Sequence, residues 1–282
     1  ICEMVRHYRV ETQIWAGSFA LVYAAWDTTL NRRVALKVLR VSKSDRSGVS
    51  ARLRREALAT ASLQHPGIVP VYETGSCNNL PFIVTRFVDG PNLEDALRAQ
   101  AYSARQSAEV VQQLATALAA AHRQGVVHRD LKPSNIMIEN GRPLLLDFGL
   151  AHVSEASLQL TCEGDVVGTP AYRSPEQASG KGWQADPRAD IYGLGAVLYR
   201  LVCGQVPYEG SMAEVIHQVI HQEVPDPRKI RPEIGRDLQT IITKCLAKDP
   251  EDRYQTATEL ADDLTRYLEG APIQARPLVV LA

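Results

Sequence analysis

The chain has 282 residues, of which 45% are apolar, and its formal net charge at pH 7 is −1. This length suits one large domain or two lobes, and the apolar share is sufficient for a real hydrophobic core. The nearly balanced charge excludes the strongly basic footprint that is typical of nucleic-acid-binding proteins and of proteins that bind anionic membranes.

Cysteine and histidine spacing indicates neither a metal centre nor a disulfide framework. The five cysteines lie far apart and form no CxxC pair, which favours a reduced, cytoplasmic setting. His217 and His221 have a spacing that suits chelation on a helix, but without a third ligand a solvated helix face is the better interpretation. No apolar run reaches the roughly 18 residues that span a bilayer, and no signal peptide opens the chain. Both ends look cut from a longer protein, so any membrane anchor is expected outside residues 1–282.

The first third of the chain predicts a β-sheet with one helix. Short segments rich in β-branched and aromatic residues, separated by turn formers, predict five strands. These strands are Tyr8 to Trp15, Leu21 to Trp26, Arg33 to Leu39, Val71 to Gly75 and Phe82 to Phe87. Residues 49–63 contain neither glycine nor proline and predict a helix that His65-Pro66-Gly67 ends.

After Asp89-Gly90-Pro91 the sequence becomes helical. An alanine-rich helix is predicted from Ser103 to Gln124, with Gly125 placed to cap it. Further helices are predicted over residues 186–203, 211–222, 237–246 and 258–268. A sheet-rich lobe followed by a larger helical lobe predicts an α+β protein with a cleft between the lobes, where ligands usually bind.

Two motifs carry most of the chemistry: Val127-His128-Arg129-Asp130-Leu131-Lys132-Pro133-Ser134-Asn135 and Leu144-Leu145-Leu146-Asp147-Phe148-Gly149. With Gly168-Thr169-Pro170-Ala171-Tyr172-Arg173-Ser174-Pro175-Glu176-Gln177, the chain resembles the eukaryotic-type (Hanks-type) Ser/Thr protein kinases, most closely their bacterial branch. The resemblance extends from Tyr8 to Leu268. It implies the bilobal protein-kinase fold, with a small antiparallel sheet and one main helix in an N-lobe (residues 1–88), a mostly helical C-lobe (89–270) and a tail (271–282).

The resemblance also implies the reaction and the residues that perform it. The γ-phosphoryl of Mg-ATP would move to a protein Ser or Thr hydroxyl, a reaction that depends mainly on positioning and charge stabilisation. Asp130 would orient the attacking hydroxyl and accept its proton, and Lys132 would neutralise charge on the moving phosphoryl. Asn135 and Asp147 would bind Mg²⁺, a hard cation that takes oxygen ligands.

The nucleotide site implied by the resemblance draws on both lobes. Lys37, in Val34-Ala35-Leu36-Lys37, would contact the α- and β-phosphates, and Glu56 would hold Lys37 by an ion pair. Thr85 would be the gatekeeper beside the hinge. The full set expected to bind ATP and its metal is Ile14, Gly17, Val22, Ala35, Lys37, Thr85, Arg86, Val88, Asn135 and Asp147.

Further residues are expected to support or regulate this site. Glu176 and Arg253 would form a buried ion pair, and Asp190 would bind the backbone near His128. The hydroxyl of Thr169 would bridge Asp130 and Lys132. Lys132 and Thr169 together favour Ser/Thr over Tyr as the acceptor. The segment from Asp147 to Glu176, which we call the activation segment, is expected to be ordered by phosphorylation. Thr161 is the preferred site and Ser157 the second choice, and Arg129 would contact the phosphate.

The glycine-rich loop departs from the family pattern. In Trp15-Ala16-Gly17-Ser18-Phe19-Ala20 only the middle glycine remains, and Trp15 places an indole where the roof of the nucleotide site should be nearly bare. The indole either faces outward or weakens ATP binding. Two alternatives to an active kinase follow, namely a pseudokinase or nucleotide-binding regulatory module and a small-molecule phosphotransferase. Expected partners are ATP, protein substrates that the sequence does not name and a second copy during autophosphorylation, with no nucleic acid.

Overall fold

The structure, a computed structural model, describes residues 4–17, 20–40, 60, 62–78, 80–148, 170–181 and 186–276. The chain divides into two compact units. The first contains the described residues up to Asp89, with Phe148, and the second contains those from Gly90 to Asp147 and from Pro170 onward. Among the described helices, none is both long enough and apolar enough to cross a membrane.

The first unit is a six-stranded antiparallel sheet with the strand order β1-β2-β3-β4-β6-β5. In chain order the strands are β1 (Met4–Val5), β2 (Tyr8–Ala16), β3 (Ala20–Asp27), β4 (Arg32–Leu39), β5 (Val71–Cys77) and β6 (Leu80–Arg86). The five predicted strands are all present, and β1 is an addition at the sheet edge. The predicted helix over residues 49–63 lies almost entirely outside the described residues.

A tight turn joins β3 to β4 and fixes their register. The buried carboxylate of Asp27 accepts hydrogen bonds from the backbone N–H groups of Thr29 and Leu30, each at 3.0 Å. Asn31 has a φ of 51°, a left-handed conformation that asparagine tolerates better than most residues. The turn therefore follows from local side-chain chemistry and sets Lys37 opposite Val22.

One face of this sheet is the core of the first unit. Alternate residues along the strands point to opposite faces, and the apolar ones pack together on one of them. This buried cluster consists of Tyr8, Tyr23, Ala25, Val34, Leu36, Phe82 and Val84. The residues between them, which include Ala35 and Lys37, project from the other face.

The second unit is mainly helical. Its helices are α1 (Leu93–Ala99), α2 (Ala104–Arg123), α3 (Pro187–Cys203), α4 (Met212–His221), α5 (Pro227–Ile230), α6 (Arg236–Cys245) and α7 (Ala257–Glu269). A two-stranded antiparallel sheet, β7 (Ile136–Glu139) and β8 (Arg142–Leu145), lies in the same unit. The five predicted helices are present, whereas α1, α5 and the two strands were not predicted.

Caps visible in the sequence determine where the two longest helices begin and end. Ser103 and Gln106 form a reciprocal capping box at the start of α2, a helix whose buried face is rich in alanine. At the start of α3, Asp186 caps the helix, and a left-handed Gly204 ends it. Midway along α3, a Cβ added at Gly193 would lie 2.9 Å from the Cβ of Leu131. The lack of a side chain there allows α3 to approach the segment that contains Asp130.

Candidate active site

Residues 127–135, between α2 and β7, form a segment that we call the catalytic loop. The Nζ atom of Lys132 donates to Oδ2 of Asp130 at 2.7 Å, and Nδ2 of Asn135 donates to the same oxygen at 2.9 Å. Asn135 Nδ2 also donates to the backbone oxygen of Asp130 at 2.8 Å. Two side chains of its own loop therefore hold the Asp130 carboxylate in one orientation.

The charge state of Asp130 follows from these contacts. Burial by itself would raise the pKa of Asp130, because a desolvated carboxylate is disfavoured. The Lys132 ammonium and the hydrogen bond from Asn135 outweigh burial and hold the pKa below its ordinary value. Asp130 is therefore ionised at neutral pH, as a group that accepts a proton must be.

The ring of His128 connects the catalytic loop to the residue before Asp147. Its Nε2 atom lies 2.7 Å from the carbonyl oxygen of Leu146, and its Nδ1 atom accepts from the backbone N–H of Asp130 at 3.3 Å. Because a carbonyl only accepts, Nε2 carries the proton and Nδ1 is the acceptor. The side chain is fully buried, so this bridge is shielded from water.

Asp190, in the first turn of α3, anchors the backbone of the catalytic loop. Its carboxylate accepts from the N–H of His128 at 2.8 Å and from the N–H of Arg129 at 2.7 Å, and it also contacts Nε2 of His122 at 2.8 Å. The predicted role of Asp190 is confirmed. Arg129 has a φ of 68°, which is uncommon for a residue with a side chain and which the surrounding bonds must maintain.

The β7–β8 hairpin brings Asn135 and Asp147 towards each other. Asn135 directly precedes β7, Asp147 follows β8 by two residues, and the N–H of Leu146 donates to the carbonyl of Asn135 at 3.0 Å. The hairpin turns at Asn140 and Gly141, whose φ values are 51° and 77°. An Asn-Gly pair with positive φ at both residues is a strong hairpin signal, which could have predicted this hairpin from the sequence.

In the first unit, four of the residues expected at the nucleotide site share the face opposite the core. Lys37 is the register partner of Val22, and Ala35 is the register partner of Thr85. Residues directly opposite one another on antiparallel strands project to the same side. All four are only half-buried, in contrast to the core face.

Arg86 and Val88 are the two residues of the expected hinge whose backbone groups are predicted to bond the adenine edge. The N–H of Arg86 donates to the carbonyl of Pro70 at 3.1 Å, so this group is already used within the unit. Val88 is buried. The contacts of Arg86 and Val88 with an adenine edge stay a prediction.

Comparison with known proteins identifies the family. The family model for the protein kinase domain, which describes the sequences of that family, matches residues 8–264. The chain belongs to the protein kinase family. A probable serine/threonine-protein kinase of Streptomyces coelicolor, SCO3848, is 39% identical over 95% of this chain and 41% of its own length. The serine/threonine-protein kinase PknB of Mycobacterium leprae is 40% identical over 92% of this chain and 42% of its own length.

Solved structures agree with the fold. The kinase domain of Mycobacterium tuberculosis PknI superposes with a TM-score of 0.75 at 26% identity, over 93% of this chain and 97% of that one. The prediction of an α+β protein-kinase fold is confirmed. This kinase domain spans about two fifths of the length of the curated relatives that it matches. Members of the family use ATP and Mg²⁺ and act on proteins.

Apart from Ile14, Gly17, Arg86 and Val88, the predicted site residues fall into three groups in this kinase domain. Asp130, Lys132 and Asn135 are in mutual contact, and Asp147 lies at the end of the adjoining hairpin. Lys37 shares a sheet face with Val22, Ala35 and Thr85. Four residues with predicted roles lie outside the described residues, namely Glu56, Ser157, Thr161 and Thr169.

The indole of Trp15 lies over the one glycine that the loop retains. A Cβ added at Gly17 would overlap three atoms of the indole, although the side chain of Trp15 is 53% exposed. Trp15 is the register partner of Val22, the residue that also pairs with Lys37. Ile14, at the irregularity just before Trp15, is half exposed. The indole therefore covers the backbone that would approach the phosphates.

We expect Trp15→Gly to tighten ATP binding by about tenfold, or about 1.4 kcal/mol. Removal of the indole uncovers Gly17. A bulky side chain over the nucleotide site weakens the binding of ATP in the ground state and in the transition state alike. The change should therefore appear in KM for ATP and much less in kcat. Calorimetric titration of ATP measures it, with Gln13→Gly on the same strand as the control for added backbone freedom. Unchanged or weaker binding would contradict the expectation.

The predicted ion pair between Glu176 and Arg253 is confirmed. Two parallel bonds of 2.8 and 2.9 Å join the guanidinium to the carboxylate, and the Arg253 side chain is fully buried. Arg253 also donates to the carbonyl groups of Ala247, Arg188 and Lys248. Burial by itself would raise the pKa of Glu176, but the bonds from Arg253 outweigh burial and lower it.

Proposed function

We propose that this chain is the catalytic domain of a Ser/Thr protein kinase that transfers the γ-phosphoryl of Mg-ATP to protein hydroxyl groups, its own included. The observation that carries the proposal is the Asp130 carboxylate, which is ionised and fixed by Lys132 and Asn135. The names of the relatives support the Ser/Thr class. No comparison supports the alternative of a pseudokinase.

The contacts of Asp130 indicate which of its oxygens acts on the substrate. Both bonds from Lys132 and Asn135 go to Oδ2, so within the described part of the chain Oδ1 remains for an incoming hydroxyl. A carboxylate oxygen in hydrogen-bond reach orients the hydroxyl and takes its proton as the new bond to phosphorus forms. Lys132, which holds the other oxygen, also lies close enough to counter the negative charge of the phosphoryl group.

The donor atoms near Asp130 fit the metal that the family uses. Asn135 donates from Nδ2 to Asp130, so the Oδ1 atom of Asn135 faces away from Asp130. Asp147 adds a carboxylate. An amide oxygen and a carboxylate are oxygen ligands of the kind that Mg²⁺ prefers. When bound, Mg²⁺ would neutralise charge on the phosphates of ATP. Lys37, in the first unit, stays a predicted contact of the α- and β-phosphates.

The test of the proposed function is an intact-mass measurement after incubation with Mg-ATP. We expect the parent chain to gain phosphate and Asp147→Ala to gain none, because loss of the anionic ligand removes Mg²⁺-dependent ATP binding. Asn135→Ala should bind Mg-ATP better than Asp147→Ala does, since Asn135 is neutral, yet transfer slowly because Asp130 loses a partner. A parent chain that binds ATP but gains no phosphate, alone or on a generic protein substrate, would favour the pseudokinase. Calorimetric titration of Mg-ATP measures the affinities, and equal values for the parent and both variants would contradict the assignment of Asn135 and Asp147 as metal ligands.

A further inference from the structure

Gln177, the residue directly after Glu176, makes a contact to the catalytic loop, although no role was predicted for it from the sequence. Its Nε2 atom donates to the carbonyl oxygen of Arg129 at 2.8 Å. Its Oε1 atom accepts from the backbone N–H of Ser174 at 3.1 Å and from the hydroxyl of the same residue at 3.2 Å. One amide thus connects the end of the activation segment with the residue before Asp130.

The orientation of this amide is determined by its partners. A backbone N–H only donates and a backbone carbonyl only accepts, so the amide oxygen must face Ser174 and the amide nitrogen must face Arg129. The Ser174 side chain is fully buried, which shields its two bonds from water. In a reversed amide the nitrogen would face the N–H of Ser174, so that two donors would meet, and the oxygen would face the carbonyl of Arg129, so that two acceptors would meet. Such unpaired groups are costly where water is excluded. The bridge is therefore a specific one.

The carbonyl that Gln177 binds belongs to the peptide group between Arg129 and Asp130. The N–H of the same peptide group donates to Nδ1 of His128 at 3.3 Å. Because a peptide group is planar, one bond at its oxygen and one at its nitrogen fix its rotation. Rotation of this plane would swing the Asp130 side chain away from its place beside Lys132. Gln177 and His128 together therefore set the direction in which Asp130 leaves the backbone.

The backbone at this point needs such support. Arg129 holds a φ of 68°, which a residue with a side chain rarely adopts and which persists only where surrounding bonds impose it. Asp190 holds the N–H of Arg129 from one side at 2.7 Å. Gln177 holds the carbonyl of the same residue, so the conformation is secured on both sides by elements distant in sequence.

We propose that Gln177 is a positioning residue for phosphoryl transfer, which locks the Arg129–Asp130 peptide group and so couples the end of the activation segment to the catalytic aspartate. The inference rests on the proposed function, because the advantage of a fixed Asp130 lies in the reaction. Gln177 follows Glu176, which is bonded to the buried Arg253, so the backbone that carries the Gln177 side chain is held in place. The effect of its loss should therefore fall on the transfer step and leave ATP binding unchanged.

The variant Gln177→Glu tests the contact with little change in shape. It replaces the donor by an oxygen that faces the Arg129 carbonyl, and we expect kcat for a peptide substrate to fall by about 10- to 100-fold, as for a small misplacement of a reacting group. The KM for ATP and the melting temperature should stay close to those of the parent. The matched control is Gln113→Glu on α2, whose amide also donates to a backbone carbonyl, that of Glu109 at 3.3 Å, away from the site.

Two further measurements separate positioning from a general structural effect. The ratio of variant to parent kcat should rise as the pH falls, because a protonated glutamate regains a donor and its position beside a carbonyl favours the protonated form. Hydrogen exchange at the Asp130 amide should be several-fold faster in Gln177→Glu than in the parent, and unchanged in Gln113→Glu. A purely structural role would lower the melting temperature without a pH-dependent recovery, and that result would overturn the proposal.

The exchange measurement distinguishes failure of this inference from failure of the proposed function. A parent chain without transfer activity would contradict the function, and exchange at Asp130 would still show whether Gln177 holds the peptide group. If parent kcat is high and Gln177→Glu matches it, the positioning role is wrong and the proposed function stands. Unchanged exchange at Asp130 in the variant would overturn the inference in either case.

Discussion

We expect Asp130→Asn to lower phosphoryl transfer by a factor of about 10² to 10⁴ while Mg-ATP binds as tightly as in the parent. An amide of the same size keeps the shape of the site but accepts no proton at neutral pH. It also loses the charge attraction to Lys132, whose Nζ lies 2.7 Å from Oδ2. Because Asp130 is proposed to act on the hydroxyl and not on the nucleotide, the loss should appear in kcat.

Single-turnover phosphorylation of a generic protein substrate, together with calorimetric titration of Mg-ATP, measures both quantities. The matched control is Asp262→Asn, the same change at an exposed position of α7, which should leave transfer and binding at parent values. Transfer by Asp130→Asn within a few-fold of the parent would show that Asp130 is not the group that accepts the proton. Loss of ATP binding in the same variant would instead place Asp130 in the nucleotide site.

The second large effect concerns stability, and we expect Arg253→Met to lower the free energy of unfolding by about 3 to 5 kcal/mol. The substitution retains the apolar packing but removes both bonds to Glu176 and those to three backbone carbonyl groups. Glu176 would be left partly buried without a counter-ion, and this unpaired charge accounts for most of the cost. Urea denaturation of the purified domain gives the free energy directly.

Two comparisons make this prediction specific. Arg98→Met removes an exposed ion pair with Asp95 on α1 and should cost at most about 1 kcal/mol. The lowered pKa of Glu176 means that the pair contributes fully at pH values above the ordinary carboxyl pKa and is lost as the pH falls through the lowered value. Arg253→Met should therefore lose part of the acid sensitivity of the parent. An unfolding free energy within 1 kcal/mol of the parent would contradict a central role for the pair.

Much of the fold could be predicted because its signals are local. The strands follow from alternating apolar residues, and the turn at Asn31 follows from a residue that tolerates positive φ. The long α2 helix begins at a capping box that spans four residues, Ser103 to Gln106. The β7–β8 hairpin carried an equally local signal in Asn140 and Gly141, so its absence from the predictions reflects a missed turn and not missing information.

The residues of the candidate site could also be proposed from the sequence, but through resemblance and not through folding rules. Asp130, Lys132 and Asn135 lie within six residues of one another, so their mutual contacts depend on the shape of a single loop. Their contact in the structure agrees with the motif. The place of Lys37 on the half-buried sheet face needed the register of β3, β4 and β6, which periodicity alone does not determine.

The sequence by itself determined the family and most of the elements, and it predicted the residues of the candidate site, because motifs, caps and turns act over a few neighbouring positions. The role of Asp190 was expected from the resemblance, but only the tertiary structure showed that Gln177 also holds the backbone beside Asp130. Asp190 and Gln177 reach the catalytic loop across separations of 61 and 48 residues, so their bonds exist only once α3 and the end of the activation segment have packed beside the loop. A side chain that bonds to a distant backbone group leaves no periodic pattern in the sequence, since any residue can supply the carbonyl or the N–H.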